Sequence, residues 1–429
     1  MTQWNNAFSR RTMLQLGLST AAVLATPWPL RRLAKAAAVS PHFMVTILCD
    51  GGWDVTQVLD PHDPLDQSDG IDVDVPEAIS GLPPSQIATA SGLTYMSNPT
   101  TRPAVDAFFN TWANRCAIVN GFTTRSTSHS QSTQLMLTGF LDPTRADFAV
   151  MAADANGRDL PLPHLLLSGE SFGGEFAGLS GRLGQQMRRA FEYTELQDDT
   201  QVVSALGEAY IEQALEYDRL LNEARSETIT GRLAAHADAN ARADRLARLA
   251  TALNINQNDG TQLAISLASA FRSGMTTSVT MRGEGGFDTH GNNLDQNLRW
   301  NNVFTDLNDF VTQLAAEPGL AGPSLLDETT IAVVSEFGRT ALLNGDNGKD
   351  HHPWNSMLLV GKNVRPATTA GLTDGQQEGV KVNLATGQPD ENGVVLDVTN
   401  VVAGVLTLMG ANSADYLPTV APLTAVVNA

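Results

Sequence analysis

Apolar runs of strand length alternate with stretches of helical period along most of the chain, and this alternation predicts an α/β fold. Phe43 to Cys49 is a continuous apolar run that predicts a buried strand, ended by Asp50-Gly51-Gly52-Trp53-Asp54. Further strands are predicted over Arg115–Gly121, Pro163–Ser168, Thr276–Arg282, Thr329–Val334, Met357–Val360 and Val394–Asp397. Helical spacing marks Pro103–Asn114, through Val105, Phe108, Phe109 and Trp112, and Gln131–Thr138, stopped by Gly139. It also marks Leu294–Ala316 and Val401–Met409. Asp60–Asn98 and Leu384–Asn392 read as loop. From about 198 to 274 the period is helical throughout, ending with Leu263, Leu267, Ala270 and Phe271 before Gly274. The expected architecture is a mostly parallel central sheet flanked by helices, one domain over 39–429 with a helical insertion acting as a cap or brace.

The amino terminus changes the picture of where the protein works. Ser9-Arg10-Arg11-Thr12-Met13-Leu14, a short apolar segment from Leu16 to Leu30, and small residues from Leu33 to Ala38 together read as a twin-arginine signal peptide over 1–38. The apolar segment is short and rich in Ala, Thr and Pro, so no stable transmembrane anchor is expected. The twin-arginine export machinery is the expected partner, and the periplasm or the cell surface the expected destination. That route carries folded proteins, so a metal can be acquired in the cytoplasm before export.

Charge narrows the partners. Residues 1–38 hold five basic and no acidic residues, which leaves 22 Lys and Arg against 46 Asp and Glu, a formal charge of −24. Such a surface repels nucleic acid and anionic lipid, and a polyanionic substrate would need a site made locally positive by divalent cations. Two cysteines, Cys49 and Cys116, cannot make a disulfide framework and read as buried free thiols.

The candidate chemistry lies in loops that follow or border the predicted strands. These are Asp50 to Asp54, Thr123 to Ser130 with His129, Gly285-Gly286-Phe287-Asp288-Thr289-His290, Ser335-Glu336-Phe337-Gly338-Arg339-Thr340, and Lys349-Asp350-His351-His352. Oxygen and imidazole donors without cysteine suit zinc, manganese, magnesium or calcium. The metal-ligand candidates are Asp50, Asp54, Asp288, His290, Glu336, Asp350, His351 and His352. Ser128, His129, Ser130 and Arg339 are the catalytic candidates. A Ser/Thr cluster before a helix can be a plain N-cap, or can aim a hydroxyl at bound metal. Arg339 can bind an anion beside the metal, or can neutralise Glu336 and Asp288 structurally.

These motifs resemble the bacterial family of domain of unknown function 1501, which is in turn similar to the alkaline phosphatase and sulfatase superfamily. The resemblance rests on twin-arginine export, the Gly-Gly-x-Asp near the mature start, His129-Ser130 leading to Thr138-Gly139, Phe287-Asp288-Thr289-His290, Glu336-Phe337-Gly338-Arg339-Thr340 and Asp350-His351. It implies an alkaline phosphatase-like sandwich with metal ligands on loops after the strands. Asp50 or Asp54 would match the first-strand aspartate, and Asp288 with His290 an Asp-x-x-x-His pair at shorter spacing. Glu336 would match an aspartate, and His351 or His352 the last histidine. Ser128 or Ser130 would lie near the nucleophile. Phe337 stands where the superfamily has a histidine, and no Cys/Ser-x-Pro-x-Arg sulfatase motif is present.

Two functional classes follow. One is an exported metal-dependent hydrolase acting on a phosphate or related ester, small or polymer-linked, with a serine or an activated water as nucleophile. The other is a non-catalytic exported protein that keeps the fold for surface binding or assembly.

Overall fold

Alternation along the first strand, β1 (Phe43–Cys49), gives the sheet two covered faces. Phe43, Val45, Ile47 and Cys49 enter one apolar cluster, and Met44 and Leu48 enter another on the opposite face. The computed structural model describes residues 41–64, 70–182 and 259–428, with the main body beginning at His42. The twin-arginine segment and most of the expected helical insertion lie outside the described residues.

In chain order, β2 (Gln86–Ala90), β3 (Leu93–Ser97), α1 (Pro103–Trp112), β4 (Cys116–Thr123), α2 (His129–Thr138) and α3 (Phe148–Gly157) follow β1. Next come β5 (His164–Leu166), β6 (Ser180–Arg182), α4 (Gly260–Arg272), β7 (Ser278–Arg282), α5 (Asp295–Ala316) and β8 (Thr329–Ser335). The remainder comprises β9 (Gly338–Arg339), β10 (His351–His352), β11 (Trp354–Gly361), β12 (Thr368–Ala370), β13 (Lys381–Val382), β14 (Val394–Asp397) and α6 (Val398–Leu408). The central sheet has ten strands in the order β13-β14-β4-β11-β8-β1-β7-β5-β6, with β12 pairing beside β4. Helices α1, α4 and α5 contribute to the apolar cluster on one face; α2, α3 and α6 contribute to the cluster on the other.

The sheet is mixed and mostly parallel. β1 runs parallel to both β7 and β8, whereas β11 is antiparallel to both β8 and β4. No helix separates β8 from β11, so the chain returns from the edge at which β8 ended. The start of β11 therefore shares an edge with the carboxyl ends of β1, β4, β7 and β8, and the site is built there.

Helix starts are set locally. Pro103 begins α1, Asp147 caps α3 through Val150 N, Asp259 caps α4 through Gln262 N, and Asp397 with Asn400 forms a capping box on α6. Among the departures from the sequence reading, two have a local cause. The stretch read as loop from Asp60 to Asn98 contains the β2–β3 hairpin, turned by Ser91 and Gly92 at φ of 52° and 97°. Helix α3 carried no periodic signal because Phe148 to Ala153 are all buried, leaving no polar stripe to alternate with them. Cys49 and Cys116 are buried and free, on strands separated by β8 and β11.

Two sheet histidines tie stability to pH. His42 Nε2 meets Thr330 Oγ1 at 2.8 Å, and burial foremost lowers its pKa to about 3. His164 lies between Ser180 Oγ and Thr280 Oγ1 at 2.8 and 2.9 Å, and burial lowers its pKa as well. Folding keeps both neutral, whereas the unfolded chain takes up their protons below about pH 6.5. Stability is expected to fall from pH 6.5 toward 3 by up to about 1.4 kcal/mol per pH unit for His42, with His164 acting in the same direction. Urea unfolding of His42→Gln at pH 7 and pH 5 should show a shallower pH slope than the unaltered protein, and equal slopes would refute the assignment.

Candidate metal centre

The turn after β1 sets the floor of the site. Gly51 has φ of 115°, and a Cβ there would lie 2.6 Å from Asp288 N; Gly52 has φ of 76°, and a Cβ there would enter the Phe337 ring. Only glycine permits this backbone and this closeness. Below the turn, Trp53 stacks on Trp300 at 4.7 Å, meets Phe287 edge-on, and donates its indole N–H to Asn355 Oδ1 at 2.7 Å. Asp54 is fully buried. Its Oδ2 lies 2.9 Å from Lys349 Nζ and takes Asn293 Nδ2 at 2.8 Å, while its Oδ1 takes the Thr56 N–H and hydroxyl.

Arg339 is buried and clamps three segments. Its Nε donates to Gly52 O at 2.7 Å, Nη1 to Lys349 O at 2.9 Å, and Nη2 to Gly51 O and, at 2.7 Å, to Asp288 Oδ1. Glu336 is equally enclosed. Oε1 accepts Gly51 N–H at 2.9 Å and His129 Nδ1–H at 2.8 Å, and Oε2 accepts the Ser335 hydroxyl at 2.8 Å.

Above this layer three imidazoles surround the Asp288 carboxylate. His129, the first residue of α2, places Nε2 3.6 Å from Asp288 Oδ2. His351 Nε2 and His290 Nε2 lie 3.0 and 3.1 Å from Asp288 Oδ1 and 3.0 Å from each other. One donor atom from each of His129, Asp288 and His351 falls within 4.8 Å of the others, as a metal ion would require. Phe337 forms a wall, with its ring centroid 4.9 Å from that of His129 and 4.3 Å from that of His351.

The tautomers follow from the acceptors behind each ring. His129 Nδ1 faces Glu336, His290 Nδ1 faces Asp350 Oδ1 at 2.8 Å, and His351 Nδ1 faces the Thr127 carbonyl at 2.8 Å. Each Nδ1 must carry the proton, so each neutral ring turns an Nε2 lone pair toward Asp288. Lone pairs meeting a carboxylate need a positive charge between them, either protons that make imidazoliums or a metal ion. The donor set fits a divalent cation, and the carboxylate or carbonyl behind each ring is the usual support of a ligating histidine. Burial raises the pKa of Asp288, but the hydrogen bond and charge of Arg339, together with the imidazolium forms of His351 and His290 in the metal-free site, outweigh it and bring the value down to about 2.

The sequence candidates thus separate. His129, Asp288, His290 and His351 converge at the cluster. Glu336, Asp350 and Arg339 touch its members from behind. Asp54 is engaged with Lys349, and Asp50 turns to Arg282 at 3.6 Å. His352 alternates away from His351 on β10. Its strongest influence is burial, which lowers its pKa, and it hydrogen-bonds the Gln377 backbone. Ser128 is the N-cap of α2, with no capping bond from its side chain, and Ser130 lies exposed in the first turn beside His129. One contributor was given no role from sequence: Lys349 is the buried partner of Asp54, and a lysine set between a glycine loop and a histidine pair was the available signal. Phe337, noted from sequence for standing where a histidine was expected, is the wall between two imidazoles.

A mixed α/β sheet with an imidazole and carboxylate cluster at its carboxyl edge is the class of molecule these observations define. The chain is similar to the family described as Protein of unknown function (DUF1501), whose model matches residues 276–417 and supports the resemblance read from the motifs. That span carries Asp288, His290, Glu336, Arg339 and His351, and leaves β1 and the His129 loop outside it. No curated protein matches the chain.

The Asp54–Lys349 pair gives a stability test. Lys349→Met leaves a buried carboxylate without its cation and is expected to cost about 3–5 kcal/mol in urea unfolding. Adding Asp54→Leu should recover much of that loss, and a Lys349→Met effect below about 1 kcal/mol would show that the pair contributes little.

Proposed function

We propose that the protein is an exported metal-dependent hydrolase of a phosphate or related ester. The observation that carries this reading is the meeting of His129, His290 and His351 Nε2 around Asp288, each ring oriented from behind by an acceptor. A divalent cation held there would polarise an ester oxygen and favour ionisation of a nearby hydroxyl or water. The chain's own part is to hold that charge and present groups beside it. Asp288 stays ionised, Arg339 fixes its orientation, and Glu336 sets the His129 tautomer. Ser128 and Ser130 flank His129 at the start of α2, where first-turn N–H groups favour an anionic substrate group. The same reading takes the sheet as an alkaline phosphatase-like sandwich, and export as following the twin-arginine route.

Protein folded in its native cytoplasm and purified should carry metal and hydrolyse at least one of an aryl monophosphate, a diester or an aryl sulfate. Asp288→Asn and His129→Ala should each abolish metal retention and lower turnover by about a hundredfold or more. Absence of both metal and turnover overturns the reading, and metal without turnover transfers the site to a binding role. In a separate fractionation test, replacing Arg10 and Arg11 by Lys should leave the protein in the cytoplasm; unimpaired export would remove the twin-arginine assignment.

A further inference from the structure

Three carboxylates stand at the ends of β1, β7 and β8, yet only one of them is turned to the imidazole cluster. Asp54 has Lys349 Nζ and Asn293 Nδ2 on one oxygen and the Thr56 N–H and hydroxyl on the other. Glu336 has Gly51 N–H and His129 Nδ1–H on Oε1 and the Ser335 hydroxyl on Oε2. Both are closed to a metal by donors already in place. Asp288 is half open: Oδ1 accepts from Arg339 and faces His351 Nε2 and His290 Nε2, and Oδ2 faces His129 Nε2. Asp350 and Asp50 lie behind or beside the cluster, on His290 Nδ1 and Arg282 respectively.

We infer that the centre is mononuclear, with His129, His290, His351 and Asp288 holding one ion and the Arg339 guanidinium standing in the place of a second cation. The inference rests on the metal reading above and adds its stoichiometry. A carboxylate shared by two metals needs both oxygens free, and Asp288 Oδ1 already accepts from a buried guanidinium. Arg339 is enclosed and held by the Gly51, Gly52 and Lys349 carbonyls, so it cannot swing aside for an ion. The open donors that remain, three Nε2 atoms and the Asp288 carboxylate, make one ligand set rather than two, and the like charge of the guanidinium adds to the cost of a second cation beside it. Among the described residues, the donor groups close enough to hold an ion all centre on Asp288, and none gathers elsewhere. Glu336 accordingly acts as a positioning residue: it holds His129 Nδ1–H and so directs the Nε2 lone pair, without touching metal.

Metal counting on the full chain tests this. Protein saturated with zinc or manganese and then desalted should retain one ion per chain by elemental analysis and native mass spectrometry. Glu336→Gln should still retain one, with the dissociation constant raised about 10- to 100-fold, while the thermal unfolding of the metal-free variant verifies that it folds. Two ions per unaltered chain overturn the mononuclear centre and leave the hydrolase reading standing. No ion overturns both. Complete loss of the ion in a folded Glu336→Gln protein makes Glu336 a ligand and overturns the role assigned to it, a result that the unaltered chain's own stoichiometry would check independently.

Discussion

The contact between Arg339 and Asp288 is the constraint on which the rest of the site depends. A buried guanidinium is tolerated only when its N–H groups find acceptors. Here the acceptors come from the β1 turn, the β7 loop and the approach to β10, so satisfying one side chain orders three separate segments. Gly51 and Gly52 are required because their carbonyls must turn toward Arg339 while Asp288 and Phe337 pack against their Cα atoms. Phe337 walls the site. It fills the space over Gly52 and presents a face to His129 and His351.

Topology explains why five loops can meet. β1 lies between two parallel neighbours, β7 and β8, so their carboxyl ends share an edge, and β4 runs in the same direction three positions from β1. The antiparallel β11 adds its beginning to that edge, and the β9–β10 ribbon leading into it carries Arg339 opposite His351. A helical crossover between β8 and β11 would have started β11 at the far edge and taken the Lys349 to His352 segment away from Asp288.

The site is graded in exposure. Glu336, Arg339, Asp54 and Lys349 are buried, with Asp54 paired to Lys349 and Arg339 to Asp288, whereas the Asp288 and His290 side chains are close to half exposed. The inner layer fixes geometry where desolvation makes unpaired charge costly, and the outer layer keeps Nε2 lone pairs and a carboxylate oxygen where an ion and a substrate could reach them.

Much of this was legible in the chain. Continuous apolar runs located β1, β8 and β11, because strands covered on both faces need no polar alternation. The acidic and histidine-bearing loops were legible because they interrupt those runs, and Asp288, His290 and His351 were named from them. The reach of His129 to Asp288, the closure of Asp54 by Lys349 and the enclosure of Glu336 were decided by tertiary structure. The residues in each of these contacts are more than a hundred positions apart, and no local period encodes such a pairing. Sequence determined which donors this protein possesses and that they border its strands; the fold decided which oxygens remained free, because that depends on the N–H and O–H groups that packing brought to each carboxylate.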